Sequence, residues 1–130
     1  MSREKPSLDL WLSEAKAEEN AEKCGMYLFH NGTVRRTARA EVREGAEDAP
    51  EVKGMSFHYD AEKVALAVEE TRKLPGIFHV RVWLNEGQLA LGDDIMLVLI
   101  GGDIRPRVVD ALQYLVGAIK SRCVTEQEIF

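Results

Sequence analysis

Apolar positions recur at helical spacing in three stretches of the chain and alternate or run together in four others. Leu8, Trp11, Leu12 and Ala15 share one face of a helix running from Leu8 to about Lys23, with Ser7 as its N-cap. Val64, Ala67, Val68 and Thr71 repeat in the same way in a second helix that Asp60 caps and Leu74-Pro75-Gly76 stops near Lys73. Val108, Val109, Leu112, Leu115, Val116 and Ile119 mark a third, from Ile104 to Arg122, with Pro106 tolerated in its first turn. Between them, Cys24 to Arg35 is rich in β-formers, and Asn31-Gly32 inside it marks a turn, a bulge or a close approach. Gly54 to Tyr59 alternates, with Met55, Phe57 and Tyr59 on one side, and Phe78, Val80, Val82 and Leu84 alternate in a third strand. Ile95 to Ile100 is unbroken apolar sequence, the pattern of a central strand covered on both faces. The order α-β-β-α-β-β-α predicts an α+β fold with a mostly antiparallel sheet and three main helices. Residues 36–53 are polar, broken by Gly45 and Pro50, and read as a mobile loop, and 123–130 read as a short tail.

Composition narrows this picture. The 130 residues suit a single domain over 1–130, and 45% hydrophobic with 30% charged residues is a globular balance. The longest apolar run is far short of the roughly 20 residues of a membrane span. The N-terminus, MSREKPSLDLW, is charged and lacks the apolar stretch of a secretory signal. Cys24 and Cys123 stand apart, in no metal-ligand or disulfide spacing, so the simplest expectation is a cytoplasmic protein with free thiols.

Seventeen Lys/Arg against twenty-two Asp/Glu leave a net charge of −5, which argues against a general nucleic-acid binder. The charges are nonetheless clustered. Arg35, Arg36, Arg39 and Arg43 fall in one short span, and Arg105, Arg107, Lys120 and Arg122 bracket the last helix. A local basic site on an acidic protein fits a small anion better than a long polyanion.

Phosphate-loop, dinucleotide, zinc-protease and nucleophile-elbow motifs are absent. His30, His58 and His79 are too scattered for a metal site. Gly101-Gly102 either offers backbone N–H groups to an anion or makes a tight strand-to-helix turn. Lys120, near the end of the last helix, either complements the helix dipole or serves a site beside the arginines.

Four stretches together resemble the large, catalytic subunit of molybdopterin synthase. They are FHNGTVR (Phe29 to Arg35), FHYDAEKVALAVEETRK, GQLALGDDIMLVLIGG (Gly87 to Gly102) and IRPRVVDALQYLVGAIKSR (Ile104 to Arg122). The resemblance spans about residues 8–127 and implies an α/β-hammerhead-type domain. It implies sulfur transfer from the C-terminal thiocarboxylate of a small ubiquitin-like subunit ending in Gly-Gly to a cyclic phosphate pterin precursor. It further implies a homodimer with sites completed near the dimer interface, and no metal or cofactor.

Residue by residue, Lys120 matches the lysine that meets the partner's C-terminus, and Arg35 and Arg105 match anion-holding arginines. Arg36 and Arg39 join them as neighbours in the basic cluster. Thiocarboxylate and phosphate are both anions, and each needs fixed cations in a partly desolvated pocket. The chain departs from the family pattern at His30, where an aromatic is usual, and at Ile104, where a histidine is. A second family lysine falls at or near Gln127, a His-Arg pair reads Leu84-Asn85, and typical members continue past Phe130. The resemblance therefore leaves an alternative open: a member that binds a ubiquitin-like partner or a pterin without turnover.

Overall fold

The computed structural model describes residues 3–45 and 50–130. Its centre is β5 (Asp94–Gly102), flanked antiparallel by β1 (Met26–Thr33) and β3 (Ile77–Leu84). The alternation of β5 divides the interior in two. Met96, Val98 and Ile100 face one cluster, with Val108, Ala111 and Leu115 of α4 (Arg105–Ala118) and Ala67 of α3 (Ala61–Arg72). Leu97 and Leu99 face the other, with Trp11 and Ala15 of α1 (Leu8–Lys16) and with Trp83. A strand covered on both faces cannot alternate apolar with polar residues, which is why this run is uninterrupted.

A second antiparallel sheet has the order β4-β2-β6, from β4 (Gly87–Ala90), β2 (Gly54–Tyr59) and β6 (Val124–Ile129). Phe57 and Leu89 pack from it into the larger cluster. The expected antiparallel pairing is present, but divided between two three-stranded sheets. The expected tail over 123–130 is for the most part β6, paired with β2 from Tyr59↔Val124 to Gly54↔Ile129. Its polar sequence concealed it, because an edge strand with one solvated face needs few apolar residues.

Other boundaries shift. The first helix stops at Lys16 rather than Lys23, with a single 3₁₀ turn at Ala21–Lys23. The last helix stays α-helical to Ala118 and then widens into a π turn over Ile119–Cys123. The expected loop over 36–53 contains a short helix, α2 (Arg39–Glu44), and its residues 46–49 lie outside the described residues.

Both predicted caps form. Ser7 accepts from the Leu10 N–H at 3.2 Å, and Asp60 accepts from Glu62 and Lys63 at 3.0 and 3.2 Å. Asn31-Gly32 runs within β1, and the ladder slips between Gly32 and Thr33, making this a bulge. Among the described residues, no helix is long and apolar enough to cross a membrane.

Candidate functional site

A cleft of about 450 Å³ opens where β1, α2, the second sheet and the end of the last helix meet. His30 and Gly32 reach it from alternate positions of β1, and Arg35 follows just after the bulge. Arg39 and Arg43, one helical turn apart, reach it from α2. Lys120 enters from the π turn, whose neighbours Ile119 and Cys123 stay buried in the core. The floor is apolar, formed by Val52, Met55, Phe57, Ile95 and Met96. Exposed cations gathered around an apolar floor make a local anion-attracting site on an acidic protein.

Arg35 donates its Nε to the Thr37 carbonyl at 3.0 Å, which fixes the guanidinium. Lys120 has no ion-pair partner among the described residues. Burial, and then the charge of Lys120, holds the His30 imidazole below the ordinary histidine value of 6.5. His30 is therefore a neutral donor-acceptor beside a cation near neutral pH.

The arrangement separates the expected site residues. His30, Arg35, Arg39 and Lys120 converge. Arg36 is exposed and does not line the cleft; its carbonyl accepts the Val52 N–H at 2.8 Å. Arg105 opens α4, about 22 Å from Lys120 at 1.5 Å per residue, and is exposed. Ile104, the N-cap beside it, is also exposed. Gln127 points away from the cleft, because successive residues of β6 face opposite sides and Glu126 and Glu128 take the inward one.

Those two carboxylates are the site residues that the sequence reading missed. Glu126 Oε1 lies 3.4 Å from Arg39 Nη1, and Glu128 Oε2 accepts the Arg39 backbone N–H at 2.9 Å. The β-branched Val124, Thr125 and Ile129 are the signal that could have found their strand.

Gly101-Gly102 is explained by packing. A Cβ on Gly101 would stand 2.6 Å from the Tyr27 ring, and one on Gly102 2.7 Å from the Gly76 carbonyl oxygen. Both are buried residues of β5 and the anion cleft is elsewhere. Both cysteines are free, and burial pushes the Cys123 thiol up, away from the thiolate a nucleophile needs. His79 is buried and holds Glu18 at 2.9 Å through Nδ1, whereas His58 is exposed. Among the described residues no group of three or more His, Cys, Asp or Glu could hold a metal ion.

Solved structures share this fold. The molybdopterin synthase of Staphylococcus aureus is 18% identical with a TM-score of 0.72, the match covering 97% of this chain and 87% of that one. A molybdopterin biosynthesis MoaE protein from Burkholderia ambifaria, also 18% identical, gives 0.69 over 96% and 80%. A protein–protein complex of subunits 1 and 2 of the molybdopterin-converting factor of Helicobacter pylori contains a chain 17% identical, with a TM-score of 0.64 over 93% and 74%. Among curated proteins no sequence match is found. The family model described as MoaE protein matches residues 4–122, nearly the full length. The chain belongs to the MoaE protein family.

Proposed function

We propose that the chain acts in molybdenum cofactor biosynthesis as the large subunit of a molybdopterin-synthase-type sulfurtransferase. The observation that carries this reading is the convergence of Lys120 with Arg35, Arg39 and Arg43 around one cleft with an apolar floor. Family membership supports the pathway, and the two-subunit complex of the Helicobacter pylori relative supports a small protein partner.

In this reading the partner's Gly-Gly tail lies in the cleft with its thiocarboxylate at Lys120. The ammonium offsets the tail's negative charge and aligns the sulfur with the pterin carbon it attacks. The new C–S bond displaces an oxygen from that carbon, and water then hydrolyses the resulting thioester, leaving the sulfur on the pterin and a carboxylate on the tail. The arginines hold the cyclic phosphate, whose charge matches their forked donors. Neutral His30 is placed to accept a proton beside Lys120, becoming the imidazolium as it does so. The chain works as a homodimer in the cytoplasm. Exposed Arg105, remote from its own cleft, is the residue a second copy receives.

The test is a single-turnover assay with a thiocarboxylated small subunit and the pterin precursor, reading molybdopterin. The wild-type protein is expected to give product, and Lys120→Ala to lower the rate about 10²-fold or more. Undiminished turnover by Lys120→Ala would remove the lysine from the chemistry. A complex that forms without any product would mark a binding-only member of the family.

A further inference from the structure

Two carboxylates share a cleft that the proposed function fills with anions, and their contacts differ in kind. Glu128 accepts a backbone N–H at the start of α2 at 2.9 Å and so helps seat that helix against β6. Among the described residues, the Glu126 carboxylate pairs with the Arg39 guanidinium alone, at 3.4 Å. That pair is loose and wet: the Arg39 side chain is 52% exposed and the Glu126 side chain 20%. Exposed pairs of this kind are weak, because water competes and two long side chains must be ordered. A phosphate oxygen pair offers the same guanidinium a shorter, bidentate partner.

We infer that Glu126 is a selectivity residue of the cleft, competing with the ligand anion for Arg39 and suppressing binding by charge alone. The inference rests on the reading of the cleft as an anion site. Arg35, Arg43 and Lys120 draw in any anion, whereas Glu126 repels it from the wall of the same cleft and withholds Arg39 from it. Only a ligand that also satisfies the other contacts binds well. The repulsion grows with ligand charge, so Glu126 weighs more heavily on a phosphate dianion than on a simple carboxylate.

The experiment titrates inorganic phosphate, and separately acetate, into the full chain by calorimetry or NMR. The proteins are wild type, Glu126→Gln, Glu126→Lys, Arg39→Gln and the Glu126→Gln/Arg39→Gln double variant. Glutamine keeps the side-chain shape, and the ladder pairing of residue 126 with Phe57 is through the backbone, so the melting temperature should hold. Glu126→Gln is expected to bind phosphate about two- to fivefold tighter, and Glu126→Lys tighter still. The gain should be smaller for acetate, and with Arg39 also replaced it should shrink to the part that comes from direct repulsion. Unchanged or weaker phosphate binding in Glu126→Gln, with the wild type binding, would overturn the selectivity role and leave the anion site standing. An equal gain for acetate would do the same. No phosphate binding by any of the five proteins would overturn both readings.

Discussion

The two sheets are built from the same kind of ladder but do opposite work. In the first, β5 is sandwiched between α1 on one side and α3 and α4 on the other, and Leu97, Val98, Leu99 and Ile100 are wholly buried. In the second, β6 is an edge strand whose side chains alternate between half-buried and exposed. The first sheet holds the molecule together. The second lends one wall to the cleft and supplies its carboxylates. Stability resides where side chains are excluded from water on both faces, and chemistry resides where one face stays open.

The largest expected effect sharpens this division. Leu99→Ala should cost about 2–5 kcal/mol of unfolding free energy, through lost burial and the cavity left in the cluster it shares with Trp11 and Trp83. Ile129→Ala, a similar truncation on the exposed edge, should cost less than about 1 kcal/mol. Chemical denaturation of both variants checks the contrast, and equal losses would break it.

Lys120→Ala should separate function from fold in the other sense. Its turnover is expected to fall about 10²-fold or more, while its melting temperature stays within a degree or two of wild type because the side chain is exposed. A large drop in melting temperature would mean that the cleft is also a structural element.

A smaller effect is expected at the cap of α3. Asp60→Ala strips an acceptor from two backbone N–H groups and should cost about 1 kcal/mol by thermal or denaturant melt.

The smallest effect concerns His30, which belongs to a strand of the first sheet but faces the cleft. Its folded-state value lies below 6.5, so the unfolded chain takes up the proton first as the pH falls. Stability present above about pH 6.5 is therefore lost as the pH falls through the lowered folded value. NMR titration of the imidazole should show the lowered value. Lys120→Ala should bring it part of the way back, since burial, the larger cause, remains. His30→Gln should remove this component of the acid sensitivity.

Much of the first sheet was legible from spacing alone. The apolar run at Ile95–Ile100, the helical repeats of α3 and α4, and the caps Ser7 and Asp60 are local signals, and each element forms near its expected place. The early stop of α1 was not legible, because the glutamates and lysines that follow favour a helix until a core is present for it to leave. Strand β6 was hidden for a related reason. Its six residues are stabilised by pairing with β2, a contact far away in sequence, and not by an apolar pattern of their own. With β6 read as a tail, Glu126 and Glu128 had no place in the site, and Gln127 could not be assigned a side.

By itself, the sequence determined the three main helices, four of the six described strands with the central buried one among them, the caps and, through four ordered motifs, the family. Periodicity and turn chemistry act over a few residues, and motif order survives low identity. Only the tertiary structure decided which charges share a space. It brings Lys120 to Arg35, Arg39 and Arg43, leaves Arg36 outside, and sets Arg105 at the far end of α4. Electrostatic and hydrogen-bond partnerships fall off over a few ångströms, and distance in space is set by how the chain folds back on itself and not by distance along it.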